Sequence, residues 1–337
     1  MADLGRYSRQ TVFPGIGEVG QRKLLDSRVA VIGVGALGTV IAQNLARAGV
    51  GFLRLCDRDF VEGHNLQRQV LFDEADAEAG APKAVAAQAH LAQINSGVQV
   101  EPVVADVTAE NVYDLIADVD LVLDGTDNFD TRYVLNDACV KWGKPWVYSG
   151  VVASYGMTMT IRPGQSACLR CVYPEPQGAG GDTCETAGVL NGAVGVVASL
   201  ASTEALKLLV GAGTVNPGLI YVDVWNNTFD QFPIARRPGC PTCDKGEYTF
   251  LEERLDQTAT LCGRDAVQVR PAGAARLDLA ALGGRLGHLG EVRVTPYLVR
   301  LLVDRYELTI FPDARAIIKG TSDPAVARGL YAKYIGM

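Results

Sequence analysis

Several things are scarce in this chain. Its 31 Lys+Arg are outnumbered by 38 Asp+Glu, a formal net charge of -7, so no basic excess draws it to a nucleic acid or an anionic membrane. Read as text, no apolar run reaches the length that crosses a bilayer. The start, Met1-Ala2-Asp3-Leu4-Gly5-Arg6, lacks the basic-then-apolar layout of a secretory signal, and the expectation is a cytoplasmic protein. Eight cysteines in 337 residues are too few for a disulfide scaffold. No internal repeat is present. The one biased stretch, Gln177-Gly178-Ala179-Gly180-Gly181-Asp182, reads as a mobile surface loop.

What remains is ordinary globular material. With 48% hydrophobic residues the chain can bury a large core, and its length suits one big domain plus a smaller one. Arg28 to Ile32 is a short β-branched run ending in Gly33-Val34-Gly35-Ala36-Leu37-Gly38, and Thr39 to Ala48 follows with helical apolar spacing. A second strand, Gly51 to Cys56, closes on Asp57. A third apolar run, Val119 to Leu123, closes on Asp124-Gly125-Thr126-Asp127-Asn128. Strands alternating with helices predict an α/β fold with a doubly wound, Rossmann-like parallel sheet, whose ligands gather at the carboxyl ends of the strands. Strands are expected around Trp146 to Val151 and Gly156 to Arg162, then a long helix over Leu190 to Leu209. The text changes after Cys243. A helix over Leu277 to Leu286, a strand over Glu291 to Val303, strands over Tyr306 to Lys319 and a helix over Asp323 to Tyr334 describe a small α+β module. The expected division is 1–250 and 251–337.

The G-x-G-x-x-G turn removes side chains where a phosphate must approach the backbone, and the helix after it offers unpaired N–H groups to the anion. Asp57, at the end of the second strand, is placed to accept from ribose hydroxyls. That arrangement suits NAD, FAD and ATP equally, so an NAD-dependent oxidoreductase stays open at this point. The text after Asp57 separates them: Asp57-Arg58-Asp59-Phe60-Val61-Glu62-Gly63-His64-Asn65-Leu66-Gln67-Arg68-Gln69, then Lys83, then Asp124 to Asn128. With an N-terminal Arg6-Tyr7-Ser8-Arg9-Gln10, these motifs in this order resemble the ThiF/MoeB/HesA family, bacterial relatives of the ubiquitin-activating enzymes. The match covers about the first three quarters of the chain.

The resemblance implies ATP-dependent adenylation of the C-terminal Gly-Gly carboxylate of a small ubiquitin-like sulfur-carrier protein, which a sulfur donor protein then converts to a thiocarboxylate. It implies that Gly33, Gly35 and Gly38 hold the nucleotide, that Asp57 holds the ribose, and that Asn65, Arg68, Gln69 and Lys83 order the phosphates. It also implies that Asp127 binds Mg²⁺ and that Arg9 reaches the triphosphate of the partner subunit in a homodimer. The chemistry agrees. Attack on an α-phosphorus needs positive charge where negative charge develops, and Arg68 and Lys83 can supply it. The attacking carboxylate is already ionised near pH 7, so three histidines are no handicap. Asp59 is equally a turn residue, and Asp124 and Asn128 equally loop-formers beside Asp127.

Cys168-Leu169-Arg170-Cys171 and Cys240-Pro241-Thr242-Cys243 form two C-x-x-C pairs. Four thiolates suit a closed tetrahedral zinc site, and many members of the resembled family carry Zn²⁺ there. Cys184, just after the Gly-rich loop, is a candidate nucleophile toward an acyl-adenylate and equally a spectator thiol. Cys262 has no evident metal partner. Two further readings stay beside adenylation of a carrier: adenylation of a short peptide, and a nucleotide-sensing binding protein stiffened by zinc.

Overall fold

The computed structural model describes residues 4–175, 186–252, 258–260, 265–269 and 277–336. The Gly-rich run, Cys184 and Cys262 lie outside the described residues. The chain forms two compact units, Met1–Arg254 and Leu255–Met337.

The first unit is built on β1 (Arg28–Ile32), β2 (Phe52–Cys56), β3 (Gln99–Val103), β4 (Leu121–Asp124), β5 (Trp146–Val152), β6 (Tyr155–Ile161), β7 (Leu219–Asp223) and β8 (Thr228–Phe232). Their order across the sheet is β3-β2-β1-β4-β5-β6-β7-β8. The first five run parallel, and β6, β7 and β8 each run antiparallel to the strand before. Alternation along the strands sorts the core into two layers. Val29, Val31, Leu53, Leu55, Leu121 and Leu123 share one cluster with helices Ala36–Ala48, Lys83–Ile94 and Asn191–Val210. Ala30, Ile32, Phe52, Cys56 and Val122 share the other with Val112–Ile116 and Phe129–Lys141. Burial on both faces is why the central strands read as unbroken apolar runs. The strand order reverses between β1 and β4, which opens a crevice at their carboxyl ends.

The helix after the glycine turn begins at Ala36, three residues before the expected Thr39, because Gly35 itself is its N-cap residue. Strand β3 was not legible because Pro102 interrupts its text. The strand lies at the sheet edge, where a missing N–H is tolerated. The expectation of no membrane-length apolar run needs correcting. Helix Asn191–Val210 is long and apolar enough by length and composition. Its Val194, Val197, Ala198, Ala201 and Ala205 are core residues packed with the sheet, and it carries a buried Glu204 that accepts from the Asn216 N–H at 2.8 Å. A helix apolar nearly all round is what a core position between layers requires.

The second unit is an antiparallel sheet ordered β11-β12-β13-β14-β10-β9, with β9 Thr258–Thr260, β10 Ala266–Val269, β11 Glu291–Val294, β12 Val299–Val303, β13 Tyr306–Ile310 and β14 Ala316–Lys319. Helices Leu279–Leu286 and Pro324–Tyr334 bury Leu282, Leu286, Ala327 and Tyr331 in its core. Asp278 and Asp323 cap them by accepting from Ala280 and Ala325 N–H groups at 3.0 and 2.8 Å. The expected single strand over Glu291 to Val303 is a hairpin instead. Thr295 turns the chain, its N–H donating to Leu298 O and its hydroxyl oxygen accepting from the Tyr297 and Leu298 N–H groups, with Pro296 between.

At the amino-terminal end of the parallel strands, Asp118 accepts from Arg28 Nη2 at 2.6 Å and from Arg54. Chiefly the Arg54 hydrogen bond, opposed in part by burial, holds its carboxyl down to about 2. A depressed carboxyl contributes stability that is present above its unfolded value near 4 and lost as pH falls toward 2. Because Asp118 is half exposed, screening limits the contribution to about 1 kcal/mol. Asp118→Asn should lower urea stability by about that amount at pH 7 and leave it unchanged near pH 2.

Candidate functional site

The glycine turn is set by backbone contacts. Gly33 has φ +84° and donates its N–H to Cys56 O at 2.8 Å, and a Cβ on it would lie 2.6 Å from Gly125. A Cβ on Gly38 would lie 1.9 Å from Gly33 O, and one on Gly125 would lie 2.4 Å from the same oxygen. Gly33 and Gly38 therefore let the β1 turn and the β4 turn touch, closing the crevice floor. Gly35 differs, because the nearest atom to a Cβ there is Gln69 Nε2 at 3.9 Å. The backbone is open at the helix N-terminus where an anion can approach. Gln69 is 4% exposed, and among the described residues its Oε1 has no hydrogen-bond partner. A buried acceptor without a donor costs about 1–3 kcal/mol unless something supplies one.

Asp57 ties the β1 turn to the loop after β2. Its Oδ2 accepts from Val34 N–H at 2.6 Å and its Oδ1 from Asp59 N–H at 2.7 Å. Burial pushes its carboxyl pKa up, against the pull of Lys83. Lys83 opens helix Lys83–Ile94, is buried, donates its backbone N–H to Asp59 O at 2.9 Å, and brings Nζ within 3.5 Å of Asp59 Oδ2. Asp59 thus works both as a backbone anchor and as the partner of Lys83. Asn65 is buried, and its Oδ1 accepts from Glu62 N–H at 3.1 Å, so in this state it shapes the Glu62 to Gln69 turn. Arg68 donates to His64 O at 3.1 Å.

At the end of β4, Asp124 is fully buried. Its Oδ1 accepts from the Thr126 N–H and hydroxyl at 2.8 and 2.6 Å, and its Oδ2 from Arg132 Nε at 3.0 Å. Arg132 also donates to Thr126 O and Ser149 O at 2.6 and 3.0 Å. Asn128 caps helix Phe129–Lys141 by accepting from Thr131 N–H at 2.9 Å. Asp124 and Asn128 are therefore loop-formers that leave Asp127 exposed, with Asn128 Nδ2 donating to its Oδ1 at 3.4 Å. Arg132 was missed from the sequence, as was Arg58. Nothing in the text tells an arginine that pairs with a distant acid from one that faces solvent.

Arg9 is not with the others. Tyr7 is buried against Gly49, Arg6 donates to Ile94 O at 3.1 Å, and Gln10 donates to Ala48 O at 2.9 Å. These contacts pin the segment to the C-terminal ends of helices Ala36–Ala48 and Lys83–Ile94 and leave Arg9 exposed. The crevice is at the opposite ends, about 20 Å away by helix rise.

The four pair cysteines converge. Sγ separations are 3.9 Å for Cys168–Cys171, 3.7 Å for Cys168–Cys240 and 3.5 Å for Cys171–Cys243. Four sulfurs at 2.3 Å from a tetrahedral zinc stand about 3.8 Å apart, so the set fits that ion. The Arg237 N–H donates to Cys171 Sγ at 3.4 Å. Helix Phe129–Lys141 carries the cluster: Asn136 accepts from Leu169 N–H at 2.8 Å, and Asp137 from the Thr242 hydroxyl at 2.6 Å and Phe250 N–H at 3.1 Å.

A glycine turn, an acid after β2, a lysine at the next helix and an acidic loop after β4, joined to a tetrathiolate cluster, define a Rossmann-like nucleotide-binding protein. The chain belongs to the ThiF family, whose pattern matches residues 7–242. It is 45% identical over 336 residues to the sulfur carrier protein ThiS adenylyltransferase of Bacillus subtilis (strain 168), across 98% of this chain and 99% of that one. It is 41% identical over 252 residues to the SAMP-activating enzyme E1 of Haloferax volcanii, across 74% and 92%. Among solved structures, E. coli MccB with ATP superposes with a TM-score of 0.62 at 22% identity, across 72% of this chain and 75% of that one, a likeness of fold. The family resemblance read from the motifs is borne out.

The glycines separate binding from folding. Gly35→Ala should keep its thermal midpoint within a few degrees and weaken ATP binding about tenfold or more, as its methyl enters the anion's approach. Gly38→Ala should fail to fold or lose more than about 3 kcal/mol, because its Cβ meets a backbone oxygen that cannot move aside. Calorimetry with and without ATP reads both.

Proposed function

We propose that this chain uses ATP to adenylate the C-terminal Gly-Gly carboxylate of a small ubiquitin-like sulfur-carrier protein. A carboxylate oxygen attacks the α-phosphorus, the bond from that phosphorus to the β-phosphate oxygen breaks, and pyrophosphate leaves an acyl-adenylate. Sulfur at the sulfide level, brought by a donor protein, then attacks the acyl carbon, the bond from that carbon to the AMP oxygen breaks, AMP departs, and the carrier ends as a thiocarboxylate. The observation that carries the reading is the crevice itself, with Gly35, Asp57, Gln69, Lys83 and Asp127 gathered at the ends of β1, β2 and β4 in a ThiF-family chain. The 45% identity to a ThiS adenylyltransferase supports it.

The geometry supports a role for each residue. Asp57 receives the ribose hydroxyls on the lone pairs its two backbone donors leave free. Lys83 and Arg68 meet the phosphates, Arg68 by turning from His64 O. Asn65 and Gln69 complete the polar wall, Gln69 with its Nε2 as the donor toward an anion and its Oε1 without a donor among the described residues. Mg²⁺, when bound, neutralises charge on the phosphates, and Asp127 would hold it. No base is needed, because the attacking group is an anion near pH 7.

Arg9 cannot reach its own crevice, which supports its acting across a homodimer on the partner's triphosphate. The family pattern ends at residue 242, which supports placing adenylation in the first unit. Zinc at the Cys168, Cys171, Cys240 and Cys243 cluster is structural in this reading, since all four positions are taken by protein sulfur. Cys184→Ala decides that thiol's role. Retained adenylation and sulfur transfer would make it a spectator.

Two measurements test the reading. ATP–pyrophosphate exchange should depend on a carrier ending in Gly-Gly and should fall about 100-fold or more in Asp127→Ala, with the fold unchanged because Asp127 is exposed. If no carrier supported exchange while the protein still bound ATP or NAD tightly, the binding-protein and oxidoreductase readings would come forward. The purified protein should contain about one zinc per chain, and Cys243→Ser should lose it with a drop in thermal midpoint of several degrees.

A further inference from the structure

The acid balance of the crevice is unusual for a site that receives a polyphosphate. Asp57, Asp59, Asp106 and Asp127 come from the loops after β2, β3 and β4. The sequence offered Arg68 and Lys83 against them. In the structure Lys83 is already shared with Asp59 at 3.5 Å, and Arg68 is turned to a carbonyl. A third cation stands between the acids. Arg58 Nη1 lies 3.2 and 3.3 Å from the two oxygens of Asp106, and its Nε lies 3.9 Å from Asp59 Oδ1. Burial alone would lower the pKa of its guanidinium. The fields of Asp106, Asp59, Asp127 and Asp57, in that order, outweigh burial and raise it.

We infer that Arg58 is a nucleotide-positioning residue of the proposed ATP site, acting as the built-in counter-ion that lets a triphosphate enter among four carboxylates. Asp106 holds the guanidinium from below, so its charge stays in place when the crevice fills. With Arg58 removed, only Lys83 and Arg68 would set positive charge against the four acids, and the incoming anion would meet a weaker attraction at short range in a partly desolvated site. An uncharged nucleoside would feel none of this. That contrast separates a charge-balancing role from a packing role.

The inference rests on the ATP-binding reading, and the experiment keeps the two apart. Equilibrium binding of Mg·ATP and of adenosine is measured for wild type, Arg58→Gln and Arg58→Lys, each shown folded by its thermal midpoint. Arg58→Gln is expected to weaken Mg·ATP by about tenfold while adenosine shifts by less than about twofold, and Arg58→Lys to recover most of the loss. Equal weakening of both ligands in Arg58→Gln, or no weakening of either, would overturn the inference. Should Arg58→Gln not fold, Arg58→Met is the second probe, read with the same two ligands, and equal weakening of both or of neither would overturn the inference there too. Wild type that binds no ATP at all would instead sink the reading on which the inference stands.

Discussion

Everything at the candidate site depends on how closely the β1 turn approaches the β4 turn. Gly33 O sits where Cβ atoms on Gly38 and Gly125 would be, so three glycines let two backbone turns touch. Hydrogen bonds then fix what the contact brings together. Gly125 N–H donates to Ile32 O at 2.7 Å, and Gly33 N–H to Cys56 O at 2.8 Å. From this joint Asp57 is held beneath the helix N-terminus, and Asp127 is presented across the crevice. A glycine motif is often discussed as room for a ligand. Here two of its glycines make room for protein, and Gly35 alone faces open space.

Helix Phe129–Lys141 carries a second constraint. Its first turn is capped by Asn128 beside Asp127, and its last turns hold the segments that bear all four thiols through Asn136 and Asp137. Stacking of Tyr133 on Phe250 at 4.6 Å adds to that hold. The cluster and the acidic loop are thus two ends of one helix, which gives the four thiols a mechanical bearing on the site.

Much of this was legible in the text. Strands buried on both faces must be apolar, so β1, β2, β4 and β5 stood out, and the glycine turn could be placed between a strand and a helix. The C-x-x-C pairs announced a four-sulfur cluster before the sulfurs were seen to meet. The failures have physical reasons. Edge strands need fewer apolar residues and tolerate proline, so β3, with Pro102, and β8, exposed along its length, carry no strong pattern. Arg58 finds Asp106 48 residues away and Arg132 finds Asp124 eight residues back, partnerships that no local spacing encodes. The hairpin at Thr295 was hidden because its turn is made by a side-chain hydroxyl.

The distribution of these parts along the chain also orders their appearance during synthesis. The crevice draws on residues from Gly33 to Ser149, whereas the sulfurs run from Cys168 to Cys243. A ribosome working from the N-terminus releases the whole crevice before the last two sulfur ligands exist, and domains fold as units as they emerge. Helix Phe129–Lys141 therefore leaves the tunnel about a hundred residues before Thr242 and Phe250, the partners of Asp137, have been made. During that interval Cys168 and Cys171 stand without Cys240 and Cys243, and the four-thiol cluster is complete only once residue 243 has been made.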